Sequence, residues 1–87
     1  MNSIKRYNCP CCNYKTFDTP IQESIGDICP VCFWEIDFFI KDENSPSGAN
    51  SGLTLKQARK NFIDFGACEK SMLKYVRKPL LEELNNF

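Results

Sequence analysis

Apolar and polar residues alternate over two short stretches and then recur at helical spacing once, and these three patterns divide the chain. Tyr14-Lys15-Thr16-Phe17 alternates aromatic with polar residues and reads as a short strand. In the run 33–40, Trp34, Ile36 and Phe38 share one strand face, while Phe33, Glu35, Asp37 and Phe39 share the other. That is the pattern of a half-buried strand. Leu55, Ala58, Phe62 and Phe65 then recur at spacings of three, four and three and predict a helix. Its start is signalled by Thr54 with Gln57 as a capping box and by Leu53 stapling against Ala58, and its end by Gly66. A second, shorter helix is expected over 67–77, with Cys68, Met72, Tyr75 and Val76 on its apolar side and Pro79 ending it. One more turn is expected over 80–84.

Each expected strand leaves a cysteine turn: Cys9-Pro10-Cys11-Cys12 in the first case and Cys29-Pro30-Val31-Cys32 in the second. Sixteen residues separate the two turns, which matches the spacing at which two thiolate pairs close a tetrahedral zinc site. Proline inside a turn presets one backbone angle and removes an amide that would need a partner. Asn13 follows the first turn and is the residue after glycine best suited to the left-handed conformation. A polar lead-in over 3–8 places Tyr7 beside the first knuckle. A loop over 18–27 brings the chain back, and Ile28 is expected to pack under the second knuckle. The segment 41–52 has the Asn, Ser, Gly and Pro content of a loop and is long for a compact domain. The expected architecture is a small α+β single domain, 1–87: a zinc ribbon over 7–40, a loop over 41–53, and a helical part over 54–87 with two C-terminal helices packed against the sheet.

A chain of 87 residues has a core that gives only marginal stability without a staple. A structural zinc site supplies on the order of 10 to 16 kcal/mol of apparent binding energy that appears as folding energy. Six cysteines fall below the density of a secreted disulfide scaffold, and the opening residues hold no apolar run, so a reducing, cytoplasmic setting is expected. No segment has the length and apolarity of a membrane span. Histidine is absent, which leaves an all-thiolate site of Cys9, Cys12, Cys29 and Cys32 for one structural Zn2+, with iron in the same four-sulfur geometry as the alternative. Pairing Cys11 with Cys9 or with Cys12 would make a poorer clasp. Cys11 and Cys68 are surplus thiols. Cys68 on an apolar helix side reads as a small hydrophobe, and the alternatives are a redox-responsive pair or a thiol activated by a helix N-terminus. With no imidazole base and no supporting constellation around Glu35 and Asp37, no enzymatic activity is expected.

Net charge is zero but uneven. Six acidic residues stand against Lys41 between Glu23 and Glu43, and seven basic residues (Lys56, Arg59, Lys60, Lys70, Lys74, Arg77 and Lys78) against Asp64 and Glu69 up to position 78. Two solvated faces attracting each other within the fold is the first reading, and a phosphate-tracking surface is the alternative. Trp34, Phe38, Phe39, Phe62 and Phe65 are expected to be mostly core, with Phe33 or Phe39 left to mark a partner surface beside Glu35 and Asp37. The resulting expectation is a non-enzymatic protein-interaction module. Its alternatives are a nucleic-acid-binding zinc ribbon and a thiol redox sensor.

Several further residues coincide with the knuckles: Ile28-Cys29-Pro30-Val31-Cys32-Phe33-Trp34-Glu35, Gly48-Ala49-Asn50, Leu55 with Ala58-Arg59 and Asn61-Phe62, Phe65-Gly66-Ala67-Cys68-Glu69, and Val76-Arg77-Lys78-Pro79. Together with Cys9-Pro10-Cys11-Cys12 they resemble the bacterial cysteine-rich CPCC family from Tyr7 to Pro79. All six cysteines match that pattern. Asn13 departs from it where the family usually has glycine, and Ile36 interrupts an otherwise acidic run after the tryptophan. The resemblance implies a small, stand-alone bacterial protein and names no reaction. It implies that the 41–53 loop is ordered against the helix, with Arg59 as its anchor through carbonyl or carboxylate contacts. An immunity or antitoxin-like role toward a larger protein is the expectation for a protein of this size.

Overall fold

The computed structural model describes residues 5–85. The outermost parts of the expected domain, including the first two residues of the polar lead-in, lie outside them. Among the described residues the chain forms one α-helix, α1 (Leu55–Phe65), and four short 3-10 helices at Ile21–Glu23, Gly48–Asn50, Lys70–Tyr75 and Leu81–Glu83.

The expected zinc ribbon with strands does not form. Two isolated antiparallel bridges take the place of the strands, Tyr7 with Phe17 and Ile28 with Glu35. Hydrogen bonding explains the shortfall. Past the first knuckle the Thr16 N–H turns back to the Tyr14 carbonyl at 2.9 Å, and the Lys15 N–H leaves for the Glu83 carbonyl at 2.8 Å. No second rung can then follow. Past the second knuckle the Ile36 N–H reaches the Asp27 carbonyl at 2.9 Å, but the Asp37 carboxylate accepts the Phe39 N–H at 2.8 Å and turns the chain away. The alternation is therefore kept only as far as Trp34 and Ile36, which are buried, while Phe38 is 68 % exposed and Ile28 lies at the surface.

On the open side of Glu35, a side chain stands in for a neighbouring strand. The Asn50 side-chain amide accepts the Glu35 N–H and donates to the Glu35 carbonyl, both at 2.9 Å. A second donation goes to the Ser47 hydroxyl. Ser47 in turn donates to Asp37 at 2.6 Å, and its backbone bonds with Leu53 and Gly52 close the segment on itself. The long loop is thus ordered by specific polar contacts, and the Glu43 carbonyl accepts the Lys56 N–H, one of the first-turn donors a helix cannot satisfy internally.

Helix α1 follows its sequence signals. The Thr54 hydroxyl accepts the Gln57 N–H, the Thr54 N–H donates to the Gln57 side-chain oxygen, and Gly66 closes the C-terminus at φ 97° with its N–H on the Phe62 carbonyl. Leu55 and Ala58 are buried, and Phe62 packs edge-on against Tyr14. The second expected helix is absent. Tertiary contacts hold both backbone groups of Cys68: its N–H donates to the Cys32 carbonyl at 2.7 Å and its carbonyl accepts from the Asn61 side chain at 2.9 Å. With Glu69 extended, only the 3-10 segment Lys70–Tyr75 can form before the Arg77 N–H is taken by the Pro30 carbonyl.

The core is built on the cysteines. Trp34 is the largest fully buried side chain, and Phe17, Val31, Ile36, Leu55 and Ala58 surround the six sulfurs with it. Phe62 and Phe65 are only half-buried, so most of the expected aromatic core lies nearer the surface.

Candidate metal centre

The two knuckles repeat one backbone design. The Cys9 carbonyl accepts the Asn13 N–H and the Cys9 N–H donates to Tyr14. In the same way, the Cys29 carbonyl accepts the Phe33 N–H and the Cys29 N–H donates to Trp34, all at 2.8 to 2.9 Å. Both turns need a left-handed residue at the fourth position after their first cysteine, and Asn13 (φ 67°) and Phe33 (φ 70°) supply it. Asn13 meets the expectation for such a turn. Phe33 is no strand residue; aligning the two knuckles by their first cysteines would have placed it in the turn.

These turns bring the Sγ atoms of Cys9, Cys12, Cys29 and Cys32 within 4.8 Å of one another, all four buried. Cross-knuckle separations are 3.6 Å for Cys9 with Cys32 and 3.7 Å for Cys12 with Cys29. A tetrahedron with metal–sulfur bonds near 2.3 Å has edges of about 3.8 Å, so the donor set fits one four-coordinate ion. The four residues could hold a single metal ion. Hydrogen bonding to Cys29 pushes the Cys12 thiol up, and hydrogen bonding to Cys11, followed by Cys12, Cys29 and Cys9, pushes the Cys32 thiol up. Cys29 is held down as the thiolate that accepts from Cys12, then Cys32 and Cys9, with a smaller contribution from Thr16.

Cys11 is buried beside the cluster but outside the four-sulfur set. Its N–H donates to Cys9 Sγ at 3.4 Å, and its thiol is close enough to Cys32 to perturb it. Cys68 is buried, and that burial, with the Cys11 and Glu69 charges, pushes its thiol up to about 12. No disulfide forms among the six.

Braces from the second half of the chain reach both knuckles. Arg59 donates from Nε to the Pro10 carbonyl at 2.8 Å and from Nη1 to Glu43 at 2.8 Å, tying α1, the first knuckle and the long loop together. The Arg77 N–H meets the Pro30 carbonyl, and its guanidinium forms a two-pronged pair with buried Glu83 at 2.9 and 3.0 Å. Sequence reading had no signal for Glu83, whose partner lies six residues away in a turn rather than on a helix face.

The residues named for a binding surface are divided by the structure. Phe33 is half-buried and stacks on Tyr75 at 5.2 Å, Glu35 is held by its backbone, and Arg59 is tied inward. Asp37 is held below the usual carboxylate range, chiefly by the Ser47 hydroxyl and also by the Phe39 and Ala49 N–H groups. Phe39 is 87 % exposed and meets Phe38 edge-to-face at 5.8 Å. Of the basic set, Arg59, Lys60 and Arg77 are paired with Glu43, Asp64 and Glu83.

A core assembled on one buried four-thiol cluster, with a single α-helix and two isolated bridges among the described residues, defines a cysteine-clasped mini-domain. The family model for cysteine-rich CPCC proteins matches residues 7–83, and the chain belongs to that family. No curated protein and no solved structure matches it. No helix among the described residues is long and apolar enough to cross a membrane.

Proposed function

We propose that the protein is a non-enzymatic module, folded around one structural zinc ion, that docks another protein through its Phe38–Phe39 turn. Zinc is the ion best suited to four buried thiolates, with no histidine or carboxylate among the ligands and no open coordination position. The exposed phenylalanine pair carries the interaction reading. Soluble domains rarely leave two adjacent aromatics in water without use, and here the turn is held in shape by Asp37 and Ser47. A groove of about 360 Å3 beside it is lined by Ile25, Pro46 and Ala49 together with Glu35 and Asp37. The partner this chemistry fits presents an apolar socket with a basic rim, in keeping with an immunity or antitoxin-like role. The nucleic-acid alternative loses support because three of the seven basic residues are already paired within the molecule. Redox sensing through Cys68 is disfavoured by a buried thiol that stays protonated at neutral pH.

Native mass spectrometry of the protein isolated from its host tests both parts. One zinc per chain and one stoichiometric protein partner are expected. The Phe38→Ser/Phe39→Ser variant should lose the partner and keep the zinc, whereas Cys29→Ser should lose the zinc and Cys11→Ser should keep it. Co-isolated nucleic acid, a partner retained by the double serine variant, or metal retained by Cys29→Ser would sink the reading.

A further inference from the structure

Thr16 stands on the leg that leaves the first knuckle, yet its hydroxyl lies 3.1 Å from the Sγ of Cys29, a cysteine of the second. The position is fixed on all sides. Its own N–H is bonded to the Tyr14 carbonyl, the preceding Lys15 N–H to Glu83, and the following Phe17 is bridged to Tyr7 in both directions. A β-branched side chain on such a backbone has few rotamers left, so the hydroxyl is aimed rather than merely near.

Resting on the zinc reading above, we propose that Thr16 is a positioning residue of the metal centre. Its O–H donates to the metal-bound Cys29 sulfur and, by drawing off part of the thiolate charge, sets how tightly and how covalently that sulfur holds the ion. Four thiolates around a divalent cation leave two net negative charges in a buried pocket, and hydrogen bonds to the sulfurs are the available way to disperse them. Cys9 has the Cys11 N–H as its donor. Cys29 has Thr16, from the opposite half of the site. The same bond fastens one knuckle to a ligand of the other, so the four sulfurs are gathered before metal arrives.

Co2+ loaded into the full chain supplies a readout that stability alone does not move. The wild type should give tetrahedral Co2+ bands with sulfur-to-cobalt charge transfer. In Thr16→Val, which keeps the shape and loses the hydroxyl, the charge-transfer band should move to lower energy, and zinc affinity in chelator competition should fall about 10-fold. Thr16→Ser should restore both, and Thr16→Ala should match Thr16→Val in band position, which guards against a packing effect of the valine. A band unchanged in Thr16→Val and Thr16→Ala, or one moved equally by Thr16→Ser, overturns the role of Thr16. A wild type that takes up no Co2+ overturns the metal reading on which it rests.

Discussion

Asn13 and Phe33 carry the same left-handed backbone, one in each knuckle, and neither is glycine. Asparagine tolerates that conformation at little cost. A β-carbon that lacks asparagine's local polar compensation costs on the order of 1 to 2 kcal/mol there. Phe33 offsets part of its cost by stacking on Tyr75, an aromatic contact of about 0.5 to 1.5 kcal/mol. Asn13 has an exposed side chain, so its substitution isolates the backbone effect. Asn13→Ala should lower the stability of the metal-loaded protein by about 1 kcal/mol, and Asn13→Gly should leave it unchanged or slightly raised. Thermal unfolding of both variants checks this, and equal melting of the two would remove the left-handed turn as the cause.

At the scale of elements, Asn50 performs the work of an absent strand. Its amide group satisfies both backbone groups of Glu35, and Asn50 itself is buried. Asn50→Ala should cost about 2 to 3 kcal/mol through the orphaned donor and acceptor. In hydrogen exchange the Glu35 amide should lose protection while the Cys29 amide, bonded to Trp34, keeps it. Uniform loss at both would mean the knuckle had opened rather than its edge. The comparison with the sequence divides along the same line. Helix α1 and the Asn13 turn were legible because their signals, Thr54 with Gln57, Gly66, and an asparagine after a cysteine turn, act within a few residues. The strand over 33–40 and the helix over 67–77 were not. The Asp37 and Asn50 side chains decide the first, and the bond from Cys68 to Cys32 decides the second, and none of these contacts leaves a periodic trace in the chain. The four clustered cysteines were legible from spacing alone, whereas the contact of Thr16 with Cys29, the pairing of Glu83 with Arg77 and the exposure of Phe38 became visible only in three dimensions.

Across the whole molecule, the pair of Arg77 with buried Glu83 joins the C-terminal segment to both knuckles. The guanidinium, followed by the Leu80 N–H, holds the Glu83 carboxyl below its ordinary value. A carboxylate depressed in the folded state contributes stability above its unfolded pKa, near 4.3, and that stability is lost as pH falls through the folded value. Urea midpoints of the metal-loaded protein should therefore drop below about pH 5. Release of a metal ion from the four cysteines in acid would be common to wild type and Glu83→Gln, so the difference between the two reports the pair. The variant should be less stable by about 2 kcal/mol at pH 7, discounted because Arg77 is partly exposed, and the gap should narrow in acid. A gap that stays constant with pH would show that the lost contact is not ionic.

All four clustered sulfurs are contributed by residue 32, whereas Arg59, Cys68, Arg77 and Glu83, which brace them, come later in the chain. At translation rates of 5 to 20 residues per second, roughly 3 to 10 s separate the emergence of the last of these cysteines from that of Glu83. During that interval a nascent chain carries all four clustered cysteines without the residues that later brace them. A metal ion held by these four sulfurs would therefore meet its complete donor set before the rest of the chain has folded, and the later half of the protein would close over it.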